Sequence, residues 1–323
     1  MERKLGTLRS AIAAAALMAS AGVAHAGSVP ESPDPIKLAL NEWTGQLVSS
    51  YIYGSVLEKM GYKVEYVTAG AVPQYEAMAS GNITANPENW DNNTGDIYPK
   101  AIASGDLINV GPLGLKAIES WVYPAYMEEQ CPGLPDWRAL MKCPEVFGTP
   151  ETLPNGRVID YPADWAARAA PLIEALKMPY VAIPGGSEGA MVAEIKSAVA
   201  AKEPVLVMFW APHWLFSEVD MKWVDLPPYE EGCDTDPAKG PNPDTVGDCG
   251  RPQANVSKVT WKGMKDKWPG AYKVLEAMSI DNDLQQKLIL EVDNKGRDIK
   301  EVIAEWMSQN ESVWQDWVNK ASS

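Results

Sequence analysis

The sequence predicts an α/β protein of two domains. Three observations carry this: a β-α-β unit near residues 35–67, a second strand-helix set from Arg157, and ample chain length. Removing an N-terminal export signal leaves about 297 residues, enough for two domains of ordinary size.

The elements follow in order. Pro35 to Leu40 reads as a strand running into Asn41-Glu42-Trp43-Thr44-Gly45. A helix is expected from about Gln46 to Met60, with Gly61 as its C-cap. Lys63 to Val67 is the next strand, and crossovers of this kind build parallel sheets with ligands at the strand ends. Gln74 to Ser80 reads as helix, and Ile83-Thr84-Ala85 leads into Asn89-Trp90. Leu113 to Tyr126 is apolar and Pro-marked, and is the expected crossover between domains. Arg157 to Asp160 is a short strand, then Ala163 to Leu176 a helix opened by Pro162. Tyr180 to Ile183 is a strand and Ala190 to Ala200 a helix. Val205 to Trp210 is wholly apolar, which marks a buried strand. Glu230 to Pro252 is polar and reads as a long surface loop; Lys262 to Trp317 reads as mostly helical.

Residues 1–26 have the makeup of a cleaved signal peptide. Arg3, Lys4 and Arg9 are basic, Ala11 to Val23 is apolar, and Ala24-His25-Ala26 is a small-x-small cleavage site. The apolar run is short for a bilayer-spanning helix, and no Cys follows the cleavage point. The mature chain is expected free in a bacterial periplasm. Its formal charge falls from −15 to about −17, which argues against nucleic acid or anionic lipid as a partner.

The four cysteines fall in two close pairs, Cys131/Cys143 and Cys233/Cys249. In an oxidising compartment that suggests two local disulfides. A zinc site using all four thiolates is the alternative, but neither pair has the close spacing that zinc sites prefer.

Tryptophan is over-used: 13 Trp stand against 3 Phe. Several indole faces around one cavity would trap a quaternary ammonium group. Trp43 and Trp90 sit just past expected strands, Trp165 in the first turn of an expected helix, and Trp210 at the end of the most apolar strand. Trp306, Trp314 and Trp317 sit at helical spacing in the tail and read as core.

The segment Glu203 to Trp214, with its Trp210-Ala211-Pro212-His213-Trp214 piece, resembles a signature of glycine betaine/choline/proline-betaine substrate-binding proteins of ABC importers. Asn41-Glu42-Trp43-Thr44, Glu88-Asn89-Trp90 and the order of elements match as well. The resemblance implies a two-lobed periplasmic binding protein fold of type II, with residues 27–122 plus 228–323 as lobe one and 123–227 as lobe two. It implies a ligand clamped between lobes by Trp43, Trp90, Trp165 and Trp210. It also implies a monomer that docks on the permease of an importer whose ATPase subunits drive transport.

The polar end of the ligand needs other groups. Next to the four tryptophans the nearest basic residue is Arg168, whereas the expected crossover carries Tyr123, Tyr126, Glu128 and Glu129. An acid facing the ligand suits a hydroxyl or a protonated N-oxide and repels a betaine carboxylate. The chain is also similar to the trimethylamine N-oxide-binding branch, so that ligand is expected, read by Glu128 or Glu129 and by Tyr123; glycine betaine and choline are the alternatives.

Gly185-Gly186-Ser187-Glu188-Gly189 matches the nucleophile elbow of hydrolases. The mature chain has a single His, His213, and only Glu188, Glu194 and Glu203 lie between it and Ser187 as candidate acids. A Gly-rich turn whose N–H groups meet the ligand's oxygen is the better reading, and no enzyme is expected. Asp234, Asp236, Asp244 and Asp248 could hold a structural calcium ion, although they lack EF-hand spacing. No other cofactor is expected, since there is no Walker A, zincin or dinucleotide motif.

Overall fold

A computed structural model describes residues 29–166 and 169–322. The signal-peptide reading and Arg168 therefore lie outside the described residues. Among the described residues no helix is long and apolar enough to cross a membrane.

Two five-stranded mixed sheets organise the chain. The strands are β1 (Ile36–Leu40), β2 (Val64–Thr68), β3 (Ala85–Trp90), β4 (Leu107–Pro112), β5 (Ile118–Pro124) and β6 (Pro132–Pro135). They continue with β7 (Gly156–Asp160), β8 (Tyr180–Pro184), β9 (Val207–Ala211), β10 (Met221–Trp223) and β11 (Val256–Trp261). The first sheet runs β2-β1-β3-β11-β4 and the second β10-β5-β9-β7-β8. In each, βαβ crossovers make the parallel half, β1 with β2 and β3, or β7 with β8 and β9. Antiparallel strands complete the other half.

The expected strands and helices recur with small shifts. The helix after β1 runs Thr44–Lys59 and is buried on most of its sides, with Val48, Ile52 and Val56 in one i, i+4 row and Tyr53 and Leu57 in another. Helix Glu188–Ala201 starts at Ser187, whose Oγ accepts the N–H of Ala190, and stops at Lys202 in the left-handed region. The C-terminal helices pack on the first sheet's side, where Tyr53 donates to the Ala271 carbonyl.

Three expectations need correction. The segment expected as a crossover carries β5, which sits between β10 and β9 inside the second sheet. The change of sheet thus falls between residues 112 and 118, not at 123. Its apolar character reflects burial of Trp121, Val122 and Tyr123, not a linker. The loop expected to return to lobe one at 228 stays on the second lobe through Asn242, which donates to the Ala175 carbonyl, and reaches the first at Arg251, which donates to the Asn92 carbonyl. Finally, the helix expected from Ala163 is a single 3-10 turn at Ala163–Trp165; Ala166 in the left-handed region ends it before helix Ala169–Ala175.

Both expected disulfides, Cys131–Cys143 and Cys233–Cys249, are present, and no cysteine among the described residues is free.

Candidate ligand-binding site

Four tryptophans from the two sheets meet in one cavity. Trp43 occupies the N-cap of helix Thr44–Lys59, just past β1, and Trp90 ends β3. Trp165 lies in the 3-10 turn after β7, and Trp210 lies in β9. Each is more than nine-tenths buried. Trp43 meets Trp165 edge to face at 5.2 Å, and Trp165 meets Trp210 at 5.6 Å. Edge-on packing of this kind leaves ring faces free for a cation while the rings brace each other.

Each wall is held from behind. Asp160, at the end of β7, accepts from the N–H groups of Tyr161 and Ala169, which pins the turn carrying Trp165. Glu88 Oε1 accepts the indole N–H of both Trp43 (3.1 Å) and Trp90 (3.0 Å). Tyr75, also in the lining, donates to Asn89 Oδ1 at 2.6 Å.

The acid in the cavity is Glu119, on β5 directly opposite Trp210 on β9. Tyr161 donates its hydroxyl to Glu119 Oε1 at 2.8 Å, and Tyr161 packs on Trp210 at 5.7 Å. Among the described residues no Lys, Arg or His lines this cavity. Trp165 Nε1 is a buried donor with no partner among the described residues.

Glu128 and Tyr123 are not in this cavity. Glu128 is exposed, in the short helix Met127–Gln130, and accepts the hydroxyl of the buried Tyr123 at 3.2 Å. Burial and the Glu128 charge raise the Tyr123 pKa, so that phenol stays protonated. Glu129 is exposed beside it. The acid that the structure places in the cavity is thus Glu119 and not Glu128, because the segment expected as a crossover is strand β5. The missed signal was periodicity: Glu119 shares a strand face with Trp121 and Tyr123, both buried, so it points inward.

The Gly-rich turn also stands outside the cavity. Ser187 is an exposed helix cap, and His213 engages Glu188, not Ser187. Glu188, His213 and Asp293 gather where the two lobes touch. Thr44 N donates to Glu188 Oε2 at 2.8 Å, and Thr44 Oγ1 donates to Asp293 Oδ1 at 2.7 Å. Trp214 Nε1 donates to Asp293 Oδ2 at 3.2 Å. Leu215 N donates to His213 Nδ1, so the neutral ring carries its proton on Nε2, 3.2 Å from Glu188 Oε1. These carboxylates could reach a metal with His213, but each already accepts from protein donors. Burial first, and then the Glu188 charge, push the Asp293 pKa up to about 6.

The four loop aspartates do not gather. Asp248 is buried beside the Cys233–Cys249 bridge and accepts from Asn242 N, Asp244 pairs with Lys177 at the surface, and Asp236 caps Ala238 N. Among the described residues the potential ligand atoms that gather are those of Cys233, Asp248 and Cys249, whose sulfurs are tied up in the disulfide, and of Glu188, His213 and Asp293; neither group includes Asp234, Asp236 or Asp244.

Two mixed α/β sheets with an aromatic cavity between them define a two-lobed solute-binding protein. Solved structures share the fold: a choline-binding protein of an ABC transporter in complex with choline aligns with a TM-score of 0.71 at 17% identity, over 90% of this chain and 93% of its own. Lactococcal OpuAC, closed on glycine betaine, aligns with a TM-score of 0.69 at 19% identity, over 88% of this chain and 100% of its own. The chain belongs to the family of substrate-binding domains of ABC-type glycine betaine transport systems, whose profile matches residues 34–309. It is a solute-binding protein and not an enzyme, which disposes of the Ser187 hydrolase reading. A trimethylamine N-oxide-binding protein of Pelagibacter ubique is 27% identical over 321 residues, 97% of this chain and 98% of its own.

Proposed function

We propose that the protein binds trimethylamine N-oxide in the tryptophan cage and delivers it, from the periplasm, to the permease of an ABC importer. The single observation that carries the ligand choice is the pairing of four indoles with Glu119 in one cavity that, among the described residues, has no basic lining. The indole faces would take the trimethylammonium group. Glu119 would share a proton with the N-oxide oxygen in a charge-assisted hydrogen bond, and the Trp165 N–H offers a second donor. A betaine carboxylate would instead meet Glu119 with like charge in a dry site.

Near-full-length similarity to a trimethylamine N-oxide-binding protein supports the same choice. Glycine betaine or choline is the second reading, favoured by the family and by the ligands of the two solved relatives. Calorimetry with the three compounds tests it. Trimethylamine N-oxide is expected to bind most tightly; tighter binding of glycine betaine would replace this reading with the second.

A further inference from the structure

Glu88 is fully buried behind the cage, two residues before Trp90 on β3. Its Oε1 accepts both indole N–H groups of the first lobe's cage walls. Its Oε2 accepts the Ser49 hydroxyl at 2.6 Å and the side-chain amide of Gln285. The two indoles and the Gln285 amide nitrogen can only donate to the carboxylate, and the Ser49 hydroxyl completes a set of four donors that suits the ionised form. Burial pushes the Glu88 pKa up and these four donors pull it down. No cation among the described residues pairs with it.

An anion buried without a counter-ion is unfavourable in itself. The cavity lies on the far side of the two indoles that Glu88 holds, so a cation seated there would lie within its field. An indole N–H donated to an anion makes the ring face more electron-rich, which strengthens its attraction for a cation.

We propose that Glu88 is the fixed counter-charge of the cage: it locks Trp43 and Trp90 in place and makes the cavity prefer a cationic head group over a neutral one of the same shape. This rests on the reading that the cage takes a quaternary ammonium group. Glu88 does not line the cavity; it is a positioning residue that holds the two rings and acts on the cation across them.

The test compares choline with dimethylbutanol, its neutral analogue in which the quaternary nitrogen is carbon. Glu88→Gln can keep both indole hydrogen bonds through its amide oxygen, while Ser49 and Gln285 can turn to accept from its N–H. It should lower the choline-to-dimethylbutanol affinity ratio on the order of tenfold, the effect of a unit charge roughly 10 Å away at an effective dielectric constant of about 20. Glu88→Ala, which releases both indoles, should weaken both probes together. An unchanged ratio in folded Glu88→Gln protein would overturn the proposal. Should Glu88→Gln fail to fold, the pair Glu88→Asp and Glu88→Asn decides: the two side chains have the same reach and differ in charge, so the ratio should be on the order of tenfold higher in Glu88→Asp, and equal ratios sink the idea. Wild-type protein that binds neither probe is tested with trimethylamine N-oxide and its neutral isostere tert-butanol in their place, with the same expectation for the ratio, and failure to bind these as well would overturn the cage reading beneath it.

Discussion

The backbone N–H of Thr44, on the first lobe, donates across the cleft to Glu188 Oε2 on the second at 2.8 Å. Thr44 directly follows Trp43, so the same turn that presents a cage wall also bridges the lobes. Glu188 in turn accepts from His213, which is fully buried. Glu188→Ala would strand the Thr44 N–H and the His213 Nε2–H, each at a cost on the order of 1–3 kcal/mol if they stay buried. Stopped-flow measurement should show faster ligand release from this variant, with association little changed; an unaltered release rate would deny the bridge any role in holding the lobes together.

Asp293 makes the bridge sensitive to pH. Its pKa is raised from 3.8 to about 6. A raised acid favours the protonated form in the closed molecule, so the stability it contributes is fully present below its ordinary value and is lost as pH rises through about 6. Glu188 and His213 face the same cluster, and Lys196 stands over the Trp214 ring at 5.3 Å. Asp293→Asn should therefore flatten the part of the pH dependence of affinity that falls between about 4 and about 7. Titrations of wild type and variant that run parallel across that window would rule it out.

Replacing any of Trp43, Trp90, Trp165 or Trp210 by Ala should weaken ligand binding on the order of tenfold or more, since each removes a cation–π contact and stacking area. Trp314→Ala should not. That ring donates to the Met307 carbonyl, and its neighbours Trp306 and Trp317 stack at 6.2 Å within the tail helices. Near-native affinity in two of the four cage variants, by calorimetry, would mean the ligand sits elsewhere.

Glu119→Gln should weaken trimethylamine N-oxide more than glycine betaine, because it removes the proton-sharing acid and the like-charge repulsion together. Glu128→Gln should leave both affinities near wild type, since its carboxylate meets Tyr123 at the surface. Equal effects of Glu119→Gln on the two ligands would show that Glu119 does not choose between them.

The contrast between these two glutamates shows what the sequence carried and what it did not. The α/β class, both disulfides and the clustering of Trp43, Trp90, Trp165 and Trp210 were legible, because strand ends and close cysteine pairs leave local marks. Glu119 was not, because its neighbour Trp210 is 91 positions away and the pairing of β5 with β9 creates the contact. Glu88 is visible in the sequence only as part of the Glu88-Asn89-Trp90 segment, and its role is not, for a related reason. Its partners Trp43, Ser49, Trp90 and Gln285 span most of the chain, and only the fold brings them to one carboxylate.

Reducing both disulfides should lower the melting temperature. The bridges enclose sequence separations of 12 and 16 residues, and loops of this size contribute about 3 kcal/mol each in the chain-entropy model. Cys233→Ser with Cys249→Ser should free the long loop that Asn242 and Asp248 otherwise fasten, so proteolysis should cut first between those positions. A reduced protein that melts at the oxidised temperature would show that loop closure contributes nothing here.

The edge contact between Trp43 and Trp165 joins a ring of one lobe to a ring of the other. Neither lobe owns a complete cage, so for a ligand held there residence time would be set by how long the two halves stay together and not by the strength of any one wall. Release and opening would then be one event with one rate. A transporter that prises the sheets apart would unload the cargo without touching it, and would have nothing to recognise in the cargo itself.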